Sequence, residues 1–244
     1  MPYVHVNARI KAAGERLMRY ILASAETLSN YPPEMIGSME ASLPDSFRKR
    51  FSSIKPGQER SVRVLSYYLL EGLFLKAGIN EPYILEEIKY GKPVLSGRPD
   101  ISFSISHSGR YAAAAVYLND SSENCSVGID VEDLGIQGRP EKNLLKMARR
   151  FFMQQDMSFI RKSSDVRESF FRIWTMKEAS TKAKNLMLSD VFKSEPYSVS
   201  DPYMVQLLKA DAVLTIYMDG REIGPGDVLL SGTLMEGRRE EPLE

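Results

Sequence analysis

Thiols, imidazoles and net charge are all scarce in this 244-residue sequence, and each shortage excludes a class of function. The single cysteine, Cys125, rules out an internal disulfide and a thiol cluster for zinc, which sets the expectation of a reducing, cytoplasmic setting. Lys plus Arg number 32 against 32 for Asp plus Glu, so the overall charge asks for neither nucleic acid nor an anionic membrane, and any argument about partners must come from local charge. No apolar stretch approaches the length of a membrane span. The opening MPYVHVNARIKAAGERL puts charges where a signal peptide would need an apolar run, so the chain is expected to be the mature one. Repeats of solenoid period and low-complexity tracts are also missing. What is present is 43% hydrophobic residues, enough for the core of one large domain or two small ones.

The first seven residues read as a strand, followed by a polar segment with Tyr31-Pro32-Pro33. Apolar residues from Ser61 to Ala77 are dense enough for a helix packed on at least two sides, stopped at Gly78. Tyr90 to Val94 reads as a turn. Ile101, Phe103 and Ile105 alternate with Ser102, Ser104 and Ser106 as a half-buried strand, and YAAAAVYL returns from the turn at Ser106 to Arg110 as its hairpin partner. The polar stretch Asn119 to Asn124 marks a boundary between two halves, 1–120 and 121–244. The second half opens with the strand VGIDVE, continues after Pro140 into the helical EKNLLKMARRFF, and reaches a further helix around Trp174. Strands VQLL and AVLTIYM follow Pro196, with Asp219-Gly220 read as a hairpin turn. From about residue 236 the tail is charged and without a core pattern.

Candidate chemistry begins in VGIDVE. Residues two apart in a strand share a face, so Asp130 and Glu132 point one way while Val127, Ile129 and Val131 point into a core. Two adjacent like charges repel, and either open water at an exposed edge or a cation such as Mg²⁺ must compensate. In the Trp174 helix, Glu178 and Lys182 lie on one stripe with the tryptophan. Such a pair is commonly a surface helix stabiliser worth ~0.2–0.5 kcal/mol, but Trp174 and Ala179 argue for a packed helix with its charges at the margin of a cleft. His107 sits among Ser106, Ser108 and Gly109, a set of small donors suited to phosphate, although a turn histidine is often simply exposed. The run FRKRFSSIKPGQERSVR holds Arg48, Lys49, Arg50, Lys55, Arg60 and Arg63, which is either a solvated face or a pocket for a phosphorylated ligand. His5 and the methionines are assigned structural roles.

Together GKP (Gly91 to Pro93), SISHSGR (Ser104 to Arg110), GIDVE (Gly128 to Glu132), RRFF (Arg149 to Phe152) and WTMKEASTK (Trp174 to Lys182) resemble the 4′-phosphopantetheinyl transferases of the surfactin-synthetase-activating (Sfp-type) subgroup, in order and in spacing. The resemblance spans roughly Pro44 to Leu188. It implies an α/β (α+β) chain of two similar halves related by a pseudo-two-fold, with the active site in the cleft between them. The N-terminal half would bind the adenine and 3′-phosphate of coenzyme A, and the C-terminal half would carry the metal and catalytic residues. The implied reaction moves phosphopantetheine from coenzyme A, a co-substrate, to a serine of an apo acyl, peptidyl or aryl carrier protein and releases adenosine 3′,5′-bisphosphate.

The resemblance also implies residue roles. Asp130, Glu132 and Glu178 would hold Mg²⁺, or Mn²⁺ in its place, Lys182 would touch phosphate, and Glu178 would serve as base, directly or through water. Asp130, Glu178 and Lys182 form the catalytic set. Arg48, Arg50, Arg60, Ser61, Lys92, Ser106, His107 and Lys182 would bind coenzyme A. A monomer is expected, with neither nucleic acid nor membrane as partner. Two departures stand out: AKNLMLSD after Lys182 lacks the family's glycine, and Asp156 stands where many members have Glu. A non-catalytic coenzyme A and carrier-binding module and a Mg²⁺-dependent nucleotide diphosphate hydrolase are the alternatives.

Overall fold

The computed structural model describes residues 20–80, 82–120, 123–136, 140–209 and 211–232. The strand expected over the first seven residues and the charged tail lie outside them.

The elements run, in chain order, β1 (Ile21–Thr27), α1 (Pro33–Ser42), α2 (Asp45–Arg48), α3 (Gln58–Lys76), β2 (Leu85–Glu87), β3 (Pro93–Leu95), β4 (Ile101–Ser108), β5 (Tyr111–Leu118), β6 (Ser126–Asp133), α4 (Glu141–Phe151), α5 (Gln154–Lys162), α6 (Val166–Lys184), α7 (Leu188–Phe192), β7 (Met204–Lys209), β8 (Ala212–Asp219) and β9 (Val228–Ser231). This mixed α and β content agrees with the fold class read from the sequence. α3 ends as its sequence predicts. Gly78 takes φ 74°, and the amides of Ile79 and Gly78 close on the carbonyls of Phe74 and Leu75 at 2.9 and 3.1 Å.

One sheet has the order β4-β5-β1-β9 and the other β6-β8-β7, while β2 and β3 form a small separate hairpin. On one face of the first sheet, Leu22, Phe103, Ala112, Ala114 and Val116 pack with Leu65, Leu70 and Phe74 of α3. On its other face, Ile21, Ala23, Ala25, Ala113 and Ala115 meet Val127, Ile129, Val131, Leu214, Ile216 and Met218 of the second sheet. Alanines at the centre of this interface let the two sheets approach closely. α6 covers the far side of the second sheet, with α4, α5 and α7 around it. The layers therefore run helices, sheet, sheet, helices, and YAAAAVYL is buried on both faces because α3 covers one and the second sheet the other.

Two expectations are corrected. The serine face of β4 is covered, with Ser104 and Ser106 buried, because β6 lies against it. Asp219-Gly220 closes no hairpin. Lys209 pairs directly with Ala212, so the tight connection lies between β7 and β8, while Gly220 at φ 94° turns the chain past Cys125 and β9 pairs parallel with β1 in the first sheet. A residue tolerant of positive φ serves any sharp exit from a strand, and the dipeptide alone does not say where the next strand goes.

Candidate active site

α6 crosses β6 at Gly128. A Cβ there would stand 1.9 Å from the carbonyl oxygen of Ala179, so glycine alone permits this approach. Its consequence lies two residues on, where Asp130 is 5% exposed and faces α6 instead of open water. Asp130 Oδ1 accepts from Lys182 Nζ at 2.6 Å and from Ser106 Oγ at 2.7 Å, while Oδ2 is buried with no hydrogen-bond partner. Lys182 also donates to the Ile129 carbonyl at 3.1 Å. Glu178 stands one helical turn before Lys182. Burial, and then the Asp130 charge, push its carboxyl up to about 7, against the opposing pull of Lys182. Glu132 Oε2 accepts from Ser108 Oγ at 2.5 Å.

The next acid, Asp133, has a different task. Its Oδ2 accepts the Arg110 amide at 3.2 Å, and the Arg110 guanidinium pairs with Asp211. Gly109, at φ 55°, makes room: a Cβ there would lie 2.5 Å from Asp133 Oδ2.

A cavity of about 540 Å³ adjoins the cluster, within the range of small-molecule sites. Tyr90 to Pro93 form one wall, Phe103 to Ile105 of β4 another, and Glu178, Thr181 and Lys182 of α6 with Asn185 to Leu188 the rest. Lys92 donates to Ser126 Oγ at 2.9 Å, and burial lowers its ammonium to about 8, with Asp219 opposing. His107 is on β4, opposite Ala112, with its ring half-buried. Burial first, then the charges of Arg63 and Lys182, depress it to about 4, with Glu59 opposing, so the ring is neutral at neutral pH. Asn185 ends α6 in the left-handed conformation, φ 50° and ψ 50°, which asparagine tolerates better than most residues other than glycine.

Of the expected coenzyme A-binding residues, Lys92 and Lys182 line this cavity, and Ser106, His107, Arg48, Arg50, Arg60 and Ser61 do not. Arg48 pairs with Asp45, Arg50 with Glu87, and Arg60 with Glu40 while also donating to the carbonyls of Phe51 and Ile54 at 3.2 and 2.8 Å. Among the described residues these arginines do not line the cavity. Ser61 borders a second hollow of about 440 Å³ with Tyr31, Gln58 and Arg110. Asp156 is part of the core: it and Lys177 are both fully buried as side chains, 3.0 Å apart, and Asp156 Oδ1 also accepts the Tyr197 amide at 2.7 Å. Sequence reasoning gave no role to Thr181, which lines the cavity, and named Arg63 and Ser108 only within a basic run and a set of small donors, without the Arg63 charge acting on His107 or the Ser108 bond to Glu132. The alternation of serine through SISHS carried the signal for Ser108.

Among the described residues no group of three or more His, Cys, Asp or Glu side chains stands close enough to hold a metal ion. The donor set nevertheless suits a hard divalent cation. Asp130 has an unsatisfied buried oxygen, Glu178 crowds it, and a single ammonium, that of Lys182, serves both carboxyls.

Known proteins resemble this chain in sequence. The model of the 4′-phosphopantetheinyl transferase superfamily matches residues 126–212, which run from the start of β6 to the start of β8. The chain is 28% identical over 167 residues to the 4′-phosphopantetheinyl transferase Sfp of Bacillus subtilis, covering 65% of this chain and 69% of that one. It is 31% identical over 135 residues to the 4′-phosphopantetheinyl transferase HetI of Nostoc, covering 53% of each, and 32% identical over 106 residues to the 4′-phosphopantetheinyl transferase gsp of Aneurinibacillus migulanus, covering 43% of this chain and 39% of that one. The match thus spans about two thirds of Sfp and about half or less of the other two. The superfamily match includes the strand and helix that bring Asp130, Glu178 and Lys182 together, so in this part the chain is similar to the 4′-phosphopantetheinyl transferases, Sfp and gsp among them.

Proposed function

We propose that this protein transfers the 4′-phosphopantetheine arm of coenzyme A to a serine hydroxyl of an apo acyl, peptidyl or aryl carrier protein. The observation that carries this reading is the pairing of Asp130, with its unpartnered buried Oδ2, with Glu178 and Lys182 at the wall of a ligand-sized cavity. Asp130, Glu132 and Glu178 would hold Mg²⁺ or Mn²⁺. The bound cation supplies charge neutralisation for the coenzyme A diphosphate.

The chain's own residues do the rest. The serine oxygen attacks the phosphorus that bears the pantetheine arm, the bond from that phosphorus to the bridging oxygen breaks, and adenosine 3′,5′-bisphosphate leaves. Lys182, steadied by Asp130 and the Ile129 carbonyl, offers its ammonium to the charge that gathers on the departing phosphate. Glu178 receives the serine proton, directly or through a water. Burial and the Asp130 charge raise its basicity, and the cation that it would help to hold lowers it again. Lys92, on the opposite wall, faces the diphosphate. Neutral His107 donates a ring N–H to a phosphate of coenzyme A, with Arg63 adding positive charge nearby. Arg48, Arg50 and Arg60 exchange their carboxylate partners for the nucleotide's phosphates, and Ser61 serves the same end of the ligand. Ser106 acts through Asp130.

No helix among the described residues is long and apolar enough to cross a membrane, and both walls of the cavity come from one chain. A cavity walled by one chain favours a monomer, and the lone free cysteine, Cys125, suits a reducing, cytoplasmic setting.

The test is the fate of coenzyme A incubated with the protein, Mg²⁺ and an apo carrier protein. Transfer releases adenosine 3′,5′-bisphosphate only when the carrier is present. Release of free phosphopantetheine without a carrier would make the protein a hydrolase. Coenzyme A retained intact on the protein would make it a binding module.

A further inference from the structure

Four serines of β4 share one face of the strand, and β6 lies against that face. Ser102, Ser104 and Ser106 accept the backbone N–H groups of Val127, Ile129 and Val131 at 2.9, 3.1 and 3.3 Å, in a regular comb. Backbone carbonyls would normally fill this role along a strand edge. A hydroxyl can donate as well as accept, and a carbonyl cannot. The comb uses that difference at its far end. Ser106 Oγ takes the Val131 N–H and also donates to Asp130 Oδ1 at 2.7 Å, and Ser108 Oγ donates to Glu132 Oε2 at 2.5 Å.

We propose that Ser106 and Ser108 are positioning residues of the site, whose hydroxyls orient Asp130 and Glu132 from behind for a divalent cation in the cleft. This deepens the transfer reading above and rests on it for the identity of the reaction. Asp130 shows the principle. Its Oδ1 is tied by two donors, Ser106 and Lys182, so the carboxylate is fixed in plane and Oδ2 remains as the oxygen without a donor. The comb also locks the register of the two sheets at the site. A slip of two residues would offer Asp130 to Ser104 or Ser108 instead of Ser106, while α6, packed on β6, would move with it. Ser102 supplies an internal comparison: it makes the same bond to β6, but its other partner is Ser126 Oγ at 3.1 Å, a hydroxyl and not an acid.

The experiment compares Ser106→Ala, Ser108→Ala, Ser108→Thr and Ser102→Ala with the unaltered protein. It measures melting temperature, Mn²⁺ affinity in the presence of coenzyme A by electron paramagnetic resonance, and the Mg²⁺ concentration giving half-maximal transfer. The three alanine variants are expected to lose comparable thermal stability. Ser106→Ala and Ser108→Ala should in addition weaken Mn²⁺ binding and raise the Mg²⁺ requirement by roughly 10–100-fold, the usual scale for groups that orient metal ligands. Ser108→Thr, which keeps the hydroxyl, should restore both. Mn²⁺ affinity within twofold of the unaltered protein in Ser108→Ala, or an equal loss in Ser102→Ala, would overturn the proposal, and Ser108→Ala decides alone if Ser106→Ala does not fold. Transfer with serine-independent metal affinity would sink this inference and leave the transfer reading standing. Serine-dependent Mn²⁺ affinity without transfer to any carrier would support the inference and sink the transfer reading.

Discussion

Asp130 has two donors on one carboxylate oxygen and none on the other, an imbalance that a buried acid tolerates only where something else completes it. Replacing it by asparagine removes the charge that steadies Lys182, and transfer should fall by at least ~100-fold, the scale of losing one electrostatic group in an active site. Asp130→Asn with near-normal turnover would contradict the assignment. His107 makes a separate claim about stability. Its folded pKa of about 4 lies below the ordinary value of 6.5, so as pH falls the unfolded chain takes the proton first. The stability His107 confers is therefore complete above pH 6.5 and is lost as pH drops towards 4. His107→Gln should flatten that limb of a melting-temperature profile, and an unchanged limb would show that another group causes it. At this scale the motif residues were legible because each sits in a short local pattern. Asp133 and Asp156 were not, since their partners Arg110 and Lys177 lie more than twenty residues away along the chain.

Between β6 and α6 the contact is set by a missing side chain. Gly128→Ala would drive a Cβ into the Ala179 carbonyl, which is backbone and cannot rotate away, so α6 must lift from the strand. Such overpacking costs ~1–3 kcal/mol, and because the lifted helix carries Glu178 and Lys182, transfer should fall by more than the loss of folded protein explains. Chemical denaturation alongside assays on the folded fraction separates the two effects. The end of the same helix gives the opposite test: Asn185→Gly should be nearly neutral in denaturation, whereas Asn185→Ala should cost roughly 1–2 kcal/mol for the left-handed conformation. Helices α3 and α6 and the β4–β5 hairpin were readable because their apolar periodicity extends over many residues. The serine face of β4 was misread as half-buried because alternation reports polarity, and here polar hydroxyls satisfy the amides of another strand instead of water.

At the scale of the molecule, the site exists because two sheets meet face to face and each contributes to one cleft. The first brings Phe103 to Ile105 of β4 to the wall, and the second carries α6, whose Glu178, Thr181 and Lys182 line the cleft while Lys182 bonds Asp130 of β6 beside it. That strands occur on both sides of the polar stretch Asn119 to Asn124 was visible along the sequence. Their facing arrangement, and the return of β9 to the first sheet, were not, because both depend on pairings between distant segments that no local pattern encodes. The central claim, that this cleft moves a phosphopantetheine arm, is tested most directly by the intact mass of apo carrier proteins after incubation with coenzyme A, Mg²⁺ and either the unaltered protein or Asp130→Ala. The expected result is a gain of one phosphopantetheine on at least one carrier, abolished by a chelator and absent with Asp130→Ala. A panel of acyl, peptidyl and aryl carriers that all keep their apo mass, under conditions where coenzyme A is bound, would contradict it.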